Sequence, residues 1–332
     1  MLTQILYAAA GLVLLTFAAD HLVLGSSRLA TRLRISPVVV GVVVIGLGTS
    51  APEFLVSGVA AARGDTGIAL GNITGSNILN LTLILGVAAL VARVAVTSSV
   101  IKREVPLAVG AVVLFGFLAW AGLTLATGIV LIVAAVGALL LLLRWARQGR
   151  NTELAKEVIS YTEESSEADA AEPVAAMPAR ARWNPPAWFE PVRALLGLAG
   201  VLAGAQLLVA NASAIATDLG VPQLIIGFTL VALGTSLPEL VTTIQAQRRG
   251  ETDLVVGNLF GSNLFNSLAG GAVIAFAAPT GAQGASVTLV LAMILTGGLA
   301  WALLRRGLAL SKPEGLILLA AYALIMPLLL SA

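Results

Sequence analysis

The stretch Gly48-Thr49-Ser50-Ala51-Pro52-Glu53 returns 186 residues later as Gly234-Thr235-Ser236-Leu237-Pro238-Glu239. Each copy lies inside an apolar segment of membrane length, and each ends on a carboxylate. An ionisable group at the centre of a bilayer costs about 2.5–3.5 kcal/mol on insertion scales. A chain that places one there twice, in matching frames, implies that both are used. Two carboxylates facing each other at mid-membrane suggest a cation site.

The match extends well beyond the two phrases. Shifted by 186 residues, 41–80 aligns with 227–266 without a gap, and 17 of the 40 positions are identical. The shared residues include Arg63-Gly64 with Arg249-Gly250, and Gly-Asn-x-x-Gly-Ser-Asn-x-x-Asn at 71–80 and 257–266. Apolar segments resemble one another by composition alone, but a gapless match of polar residues is hard to obtain that way. The chain therefore contains an internal duplication.

Composition supplies the setting. Of 332 residues, 58% are hydrophobic and only 11% charged, and the mean hydropathy is +0.97. A soluble protein of this length needs far more surface charge. Ten spans are predicted, at 3–27, 37–62, 67–92, 104–121, 124–145, 190–217, 222–247, 253–278, 285–304 and 311–330. The start of the chain lacks the basic region of a secretory signal, so the first apolar run is read as a retained span. The absence of cysteine excludes disulfides, thiolate metal sites and sulfur redox chemistry.

Residues 146–189 interrupt the apolar pattern with seven of the 17 acidic residues. They contain no oxygen-ligand loop of the Asp-x-Asp-x-Asn-Gly kind and read as a solvated linker, not a cation sensor. The expected organisation is a first five-helix repeat at 1–145, the linker at 146–189, and a second five-helix repeat at 190–332. Because five is odd, the second copy enters the membrane from the opposite side. The fold class is thus an all-α polytopic membrane protein of ten transmembrane helices in two inverted-topology repeats, with a site expected at their interface. With both termini extracellular and the linker cytoplasmic, every Lys and Arg of the 19 except Arg63 lies on or beside a cytoplasmic connection. A prokaryotic plasma membrane is the expected location.

Within span 2, Pro52 removes an amide hydrogen and clashes with the carbonyl of Gly48, so a break is predicted, with carbonyls near Gly46–Gly48 freed. Gly234 and Pro238 predict the same in span 7. Thr49, Glu53 and Ser57 share one helix face, as do Thr235, Glu239 and Thr243. Asn72, Ser76 and Asn80 form a facing stripe on span 3, matched by Asn258, Ser262 and Asn266 on span 8. Gly71/Gly75 and Gly257/Gly261 beside them predict close helix approach. Hydroxyl, carboxylate and carbonyl oxygens suit Na⁺ or Ca²⁺ over soft transition metals. Asp20, beside the only histidine, His21, has Gln206 as its repeat partner. It is read as a packing or supporting group outside the symmetric set, with a proton relay as the alternative.

These duplicated motifs resemble the two alpha repeats of the cation/Ca²⁺ exchanger superfamily, and their Gly-Thr-Ser-x-Pro-Glu form resembles its sodium/calcium exchanger branch. The resemblance covers both membrane halves. It implies ion ligands at Thr49, Ser50, Glu53, Ser76 and Asn80, and at Thr235, Ser236, Glu239, Ser262 and Asn266, with backbone carbonyls near Gly46 and Ala232. It also implies that spans 1 and 6 slide past a static core. In one respect the chain departs from the pattern, since some members carry Asp where Asn266 stands here. The site then holds two formal negative charges, which one Ca²⁺ or two Na⁺ would neutralise.

The function expected is a secondary antiporter exchanging Na⁺ for Ca²⁺, with Ca²⁺, Na⁺ and the lipid bilayer as its partners. No cofactor, nucleic acid or protein partner is implied. A proton-coupled exchanger of Ca²⁺ or another divalent cation is the nearest alternative. A cation channel is a more distant one, since channels usually build a pore from several subunits. No His cluster, Cys or nucleophile–base pair points to an enzyme.

Overall fold

The computed structural model describes residues 1–33, 35–148, 186–220, 232–278, 281–282 and 284–331. Most of the linker, and the first half of predicted span 7, lie outside them. The described part is helical: α1 (Leu2–Leu33), α2 (Pro37–Thr49), α3 (Ala51–Ala62), α4 (Thr66–Val91), α5 (Ser98–Lys102), α6 (Glu104–Ala121) and α7 (Leu125–Gln148) precede the linker. After it come α8 (Phe189–Asp218), α9 (Ala232–Thr235), α10 (Leu237–Arg248), α11 (Thr252–Ala277), α12 (Val287–Gly307) and α13 (Lys312–Ser331). Among the described residues seven helices are long and apolar enough to cross a bilayer, and the bent pair α2–α3 gives an eighth when it is counted as one span. The chain is therefore a multi-pass membrane protein. Its only strands among these residues are β1 (Val94–Ala95) and β2 (Ala309–Leu310), an antiparallel pair joining two interhelical loops.

Polarity sorts the helices. In α4 and α11, which carry the Asn and Ser stripes, 78% and 83% of the most apolar window is buried. In α1, α7 and α8, which are nearly uniformly apolar in that window, the figure is 22–28%. Amide and hydroxyl groups are costly against lipid, so the stripe helices occupy the centre, and the others present Leu6, Phe17, Leu195 and Leu196 outward.

Repeat-equivalent helices run antiparallel. Asn77 of α4 bonds Ser267 of α11, whereas Asn80 bonds Asn263. In the peripheral pair α1–α8, a Cβ added at Gly11 would lie 2.6 Å from Leu208 N, and one at Gly197 2.6 Å from Leu22 N. These two contacts are the same contact under the 186-residue shift. Only glycine lets the two backbones come this close.

The predicted close approach beside the polar stripes is met on α11. A Cβ at Gly257 would lie 2.5 Å from the Val38 carbonyl, and one at Gly261 2.6 Å from Val42 Cα. A Cβ added at Gly71 or Gly75 would meet no described atom of another helix within 4 Å. The segment that the repeat would set against them, around 224–231, falls outside the described residues.

Candidate cation site

The site begins at two helix breaks. Between α2 and α3 the chain bends by 41° at Ser50, whose φ of −78° and ψ of 1° leave the helical region. Ser236 adopts the matching conformation, φ −93° and ψ 7°, between α9 and α10. Each proline sits in the first turn of the helix that follows, where its missing N–H costs nothing. The break sets each serine hydroxyl where the two halves of the chain meet.

Glu53 and Glu239 are fully buried. Oε1 of Glu53 lies 3.1 Å from Ser236 Oγ and 3.5 Å from Ser76 Oγ. Oε1 of Glu239 lies 3.3 Å from Ser50 Oγ and 3.4 Å from Ser262 Oγ. Each carboxylate thus meets one serine from the helix after it in its own half and one from the break in the other half. No Lys or Arg pairs with either among the described residues. Oε2 of each glutamate, Oδ1 of Asn80, and both side-chain polar atoms of Asn266 are buried without a hydrogen-bond partner. Unpartnered buried acceptors are rare in native proteins, and the four oxygens among these atoms are of the hard type that a Na⁺ or Ca²⁺ ion can accept as ligands. No cluster of three or more His, Cys, Asp or Glu occurs among the described residues, so the donor set is a carboxylate pair with neutral oxygens around it.

The expected stripes are divided between two roles. Asn72 does not face the carboxylates. Its Nδ2 lies 3.2 Å from the Glu53 backbone carbonyl and 2.9 Å from Ser57 Oγ. Asn258 does the same with the Glu239 carbonyl, at 3.3 Å, and Thr243, at 3.0 Å. These two asparagines clasp the glutamate-bearing helices α3 and α10 onto α4 and α11. The face shared by Glu53 and Ser57 is therefore split between site and clasp.

Thr49 is buried with its hydroxyl 2.9 Å from the Ile45 carbonyl and 3.3 Å from Asn258 Oδ1. Thr235 is also buried, and Ala232 opens α9. The Gly46 carbonyl, expected to be freed by the break, instead accepts from Ser50 Oγ at 2.8 Å and Ser262 Oγ at 3.1 Å. The Ser50 amide donates to the same oxygen at 3.4 Å, so the break leaves this carbonyl engaged.

Two residues were not singled out from the sequence. Asn263 donates to the Asn77 carbonyl at 2.8 Å and accepts from Asn80 Nδ2 at 3.1 Å. Asn77 donates to Ser267 Oγ at 2.9 Å. Both belong to the duplicated Gly-Asn-x-x-Gly-Ser-Asn-x-x-Asn phrase, which was the available signal, but they sit off the i, i+4 stripe. Beside them α4 and α11 widen into π-helical turns at Asn80–Ile84 and Asn266–Gly270, a distortion frequent at functional sites. Asp20 lies apart, in a bidentate pair with Arg249 at 2.7 Å for both bonds.

The chain has counterparts among known proteins. Residues 3–144 and 190–330 match the sodium/calcium exchanger protein family. The chain belongs to that family. A relative described as the putative antiporter CaxA, from Alkalimonas amylolytica, is 40% identical over 81% of this chain and 79% of its own length. The sodium/calcium exchanger MaX1 of Methanosarcina acetivorans is 30% identical over 77% of this chain and 78% of its own. A solved structure of the sodium-calcium exchanger NCX_Mj, soaked with Na⁺ and Ca²⁺, superposes with a TM-score of 0.82 at 28% identity, covering 98% of both chains. As a member of the sodium/calcium exchanger family, this protein is an antiporter of the cation/Ca²⁺ class.

Proposed function

We propose that this exchanger moves Na⁺ and Ca²⁺ in opposite directions by alternating access, through a single mid-membrane oxygen site between two inverted five-helix repeats. The observation that carries this reading is the paired carboxylate. Glu53 and Glu239 each meet a serine from both halves, and each keeps an oxygen without a protein donor. The ligands are Glu53, Ser76, Asn80 and Ser50 from the first repeat, with Glu239, Ser262, Asn266 and Ser236 from the second. Thr49, Thr235 and the carbonyls of Gly46 and Ala232 line the same breaks.

Two buried carboxylates with no basic partner are costly to seal under apolar helices. One Ca²⁺ or two Na⁺ balances them, so the site closes only when filled. Ca²⁺ and Na⁺ draw on overlapping oxygens, and one leaves before the other binds. That competition is the coupling.

The ten spans, the repeats at 1–145 and 190–332 and the linker at 146–189 complete the reading. Both termini are extracellular, the linker is cytoplasmic and the plasma membrane is the site of action. The antiparallel pairing of equivalent helices and the one-sided Lys and Arg support this topology.

The test is Ca²⁺ uptake into proteoliposomes loaded with Na⁺ and diluted into Na⁺-free buffer, beside a matched set carrying only a pH gradient. Uptake driven by the Na⁺ gradient alone is the expected result. Uptake driven only by the pH gradient would replace Na⁺ with H⁺ as the coupling ion, and passive uptake with neither would make the protein a channel.

A further inference from the structure

The turns after α3 and α10 are copies of each other. Gly64 and Gly250 take positive φ, 89° and 73°. Asp65 N bonds the Ala60 carbonyl as Glu251 N bonds that of Ala246, and Thr66 N bonds the Gly64 carbonyl as Thr252 N bonds that of Gly250. One turn presents Arg63 and Asp65, and the other Arg249 and Glu251. Topology places them on opposite faces of the membrane.

Their surroundings are not copies. At the second turn α1 is docked: Asp20 grips Arg249 through two bonds, and Ser27 Oγ donates to the Glu251 carboxylate. Under the 186-residue shift, Asp20 corresponds to Gln206, Ser27 to Ser213, Arg249 to Arg63 and Glu251 to Asp65. At the first turn none of the matching contacts is made. Arg63, Asp65 and Gln206 are exposed, and Ser213 Oγ is buried without a hydrogen-bond partner. Correspondingly, α1 packs along α10, whereas α8 makes no comparable contact with α3. Meanwhile α1 and α8 stay locked to each other at their glycines and by Arg28–Glu190 and Gln4–Asp218.

We propose that Asp20–Arg249 and Ser27–Glu251 form a latch that holds the α1–α8 pair closed over one face of the membrane. When it releases, Ser213 docks on Asp65 and Gln206 on Arg63 to close the other face. This rests on the alternating-access reading above. The buried, unpartnered hydroxyl of Ser213 is the half of a contact that the second conformation completes. The two latches are unequal: an ion pair holds one face and only an amide–guanidinium contact the other. The protein therefore rests closed at the Arg249 face, which is the cytoplasmic face in the proposed orientation.

The chain has no cysteine, so engineered pairs can be followed in the full-length protein in liposomes. Ser27→Cys with Glu251→Cys, and Asp65→Cys with Ser213→Cys, are oxidised with copper phenanthroline under Na⁺ and under Ca²⁺, alongside Ca²⁺ flux. Both pairs are expected to cross-link, each link stopping flux until reduced. In the four-cysteine variant the two links should not form in one molecule. Asp20→Asn should raise the Asp65–Ser213 cross-linked fraction about two- to fivefold, the effect of losing a partly exposed ion pair. Asp218→Asn, whose partner Gln4 belongs to the same moving pair, should leave it unchanged. Persistent flux with no Asp65–Ser213 link in any ion condition would overturn the latch and leave the exchanger reading standing. Alternating links without Ca²⁺ flux would do the reverse.

Discussion

Ser236 and Glu53 meet across the boundary between the two halves of the chain, hydroxyl to carboxylate at 3.1 Å. Ser50 and Glu239 repeat the contact at 3.3 Å. Neither half therefore completes a carboxylate's surroundings alone. Ser50→Ala and Ser236→Ala should each raise the Ca²⁺ concentration for half-maximal transport about tenfold, near the ~1.5 kcal/mol lower end for hydrogen bonds to charged groups. The two effects should be similar in size. A concentration series of Ca²⁺ uptake in both variants checks this, and a large effect in one with none in the other would break the symmetry.

Glu53→Gln and Glu239→Gln should each abolish Ca²⁺ exchange while leaving the protein folded. The wild type should gain thermal stability as Ca²⁺ rises, because a ligand of the native state stabilises it by mass action, about 2.7 kcal/mol at a hundred times Kd. Melting curves with and without Ca²⁺ in detergent should show that gain in the wild type and lose it in both variants. Removing a buried charge should leave the ion-free melting temperature equal or higher.

Asn258→Leu tests the clasp. Its Nδ2 serves the Glu239 carbonyl and the hydroxyls of Thr242 and Thr243 at 3.0–3.3 Å, in a residue only 1% exposed. Stranding those groups should cost about 1–3 kcal/mol, read as a fall in melting temperature. Asn72→Leu, at a half-buried position, should cost less. A change confined to ion selectivity, with no loss of stability, would place these asparagines among the ligands instead.

Gly197→Val should force α1 and α8 apart and misplace the moving pair, since its first added carbon lies 2.6 Å from the Leu22 backbone. Overpacking of this kind costs about 1–3 kcal/mol, and transport should fall while Ca²⁺ still stabilises the protein on heating. Gly298→Val, where a Cβ meets no heavy atom within 4 Å, should transport as the wild type does. The pair of flux and melting measurements separates a folded exchanger with a misplaced helix pair from an unfolded one.

Much of the fold could be read from the chain alone because membrane insertion makes harsh, local demands. A run of apolar residues must cross, and a proline such as Pro52 inside it must open the helix. The break between α2 and α3 falls where Gly48 and Pro52 predict it. The duplicated phrases likewise mark Glu53 and Glu239 before any coordinate is known. The fate of the facing stripes was less legible. Asn72, Ser76 and Asn80 share a face of α4, yet Asn72 clasps the backbone of α3 while Ser76 reaches the carboxylate.

The sequence by itself determined the apolar spans, the 186-residue duplication, the two breaks and the pair of buried carboxylates, because spans, breaks and carboxylates depend on residues close together in the chain and the duplication is a property of residue order alone. Only the tertiary structure decided that each carboxylate meets a serine from the opposite half, that hydroxyls cover the Gly46 carbonyl, and that Asp20 grips Arg249 while Gln206 and Arg63 stay apart. Helical periodicity says which side chains lie on one face. Which neighbour covers that face depends on how the helices pack, and in a duplicated chain the two halves can pack differently though their sequences match.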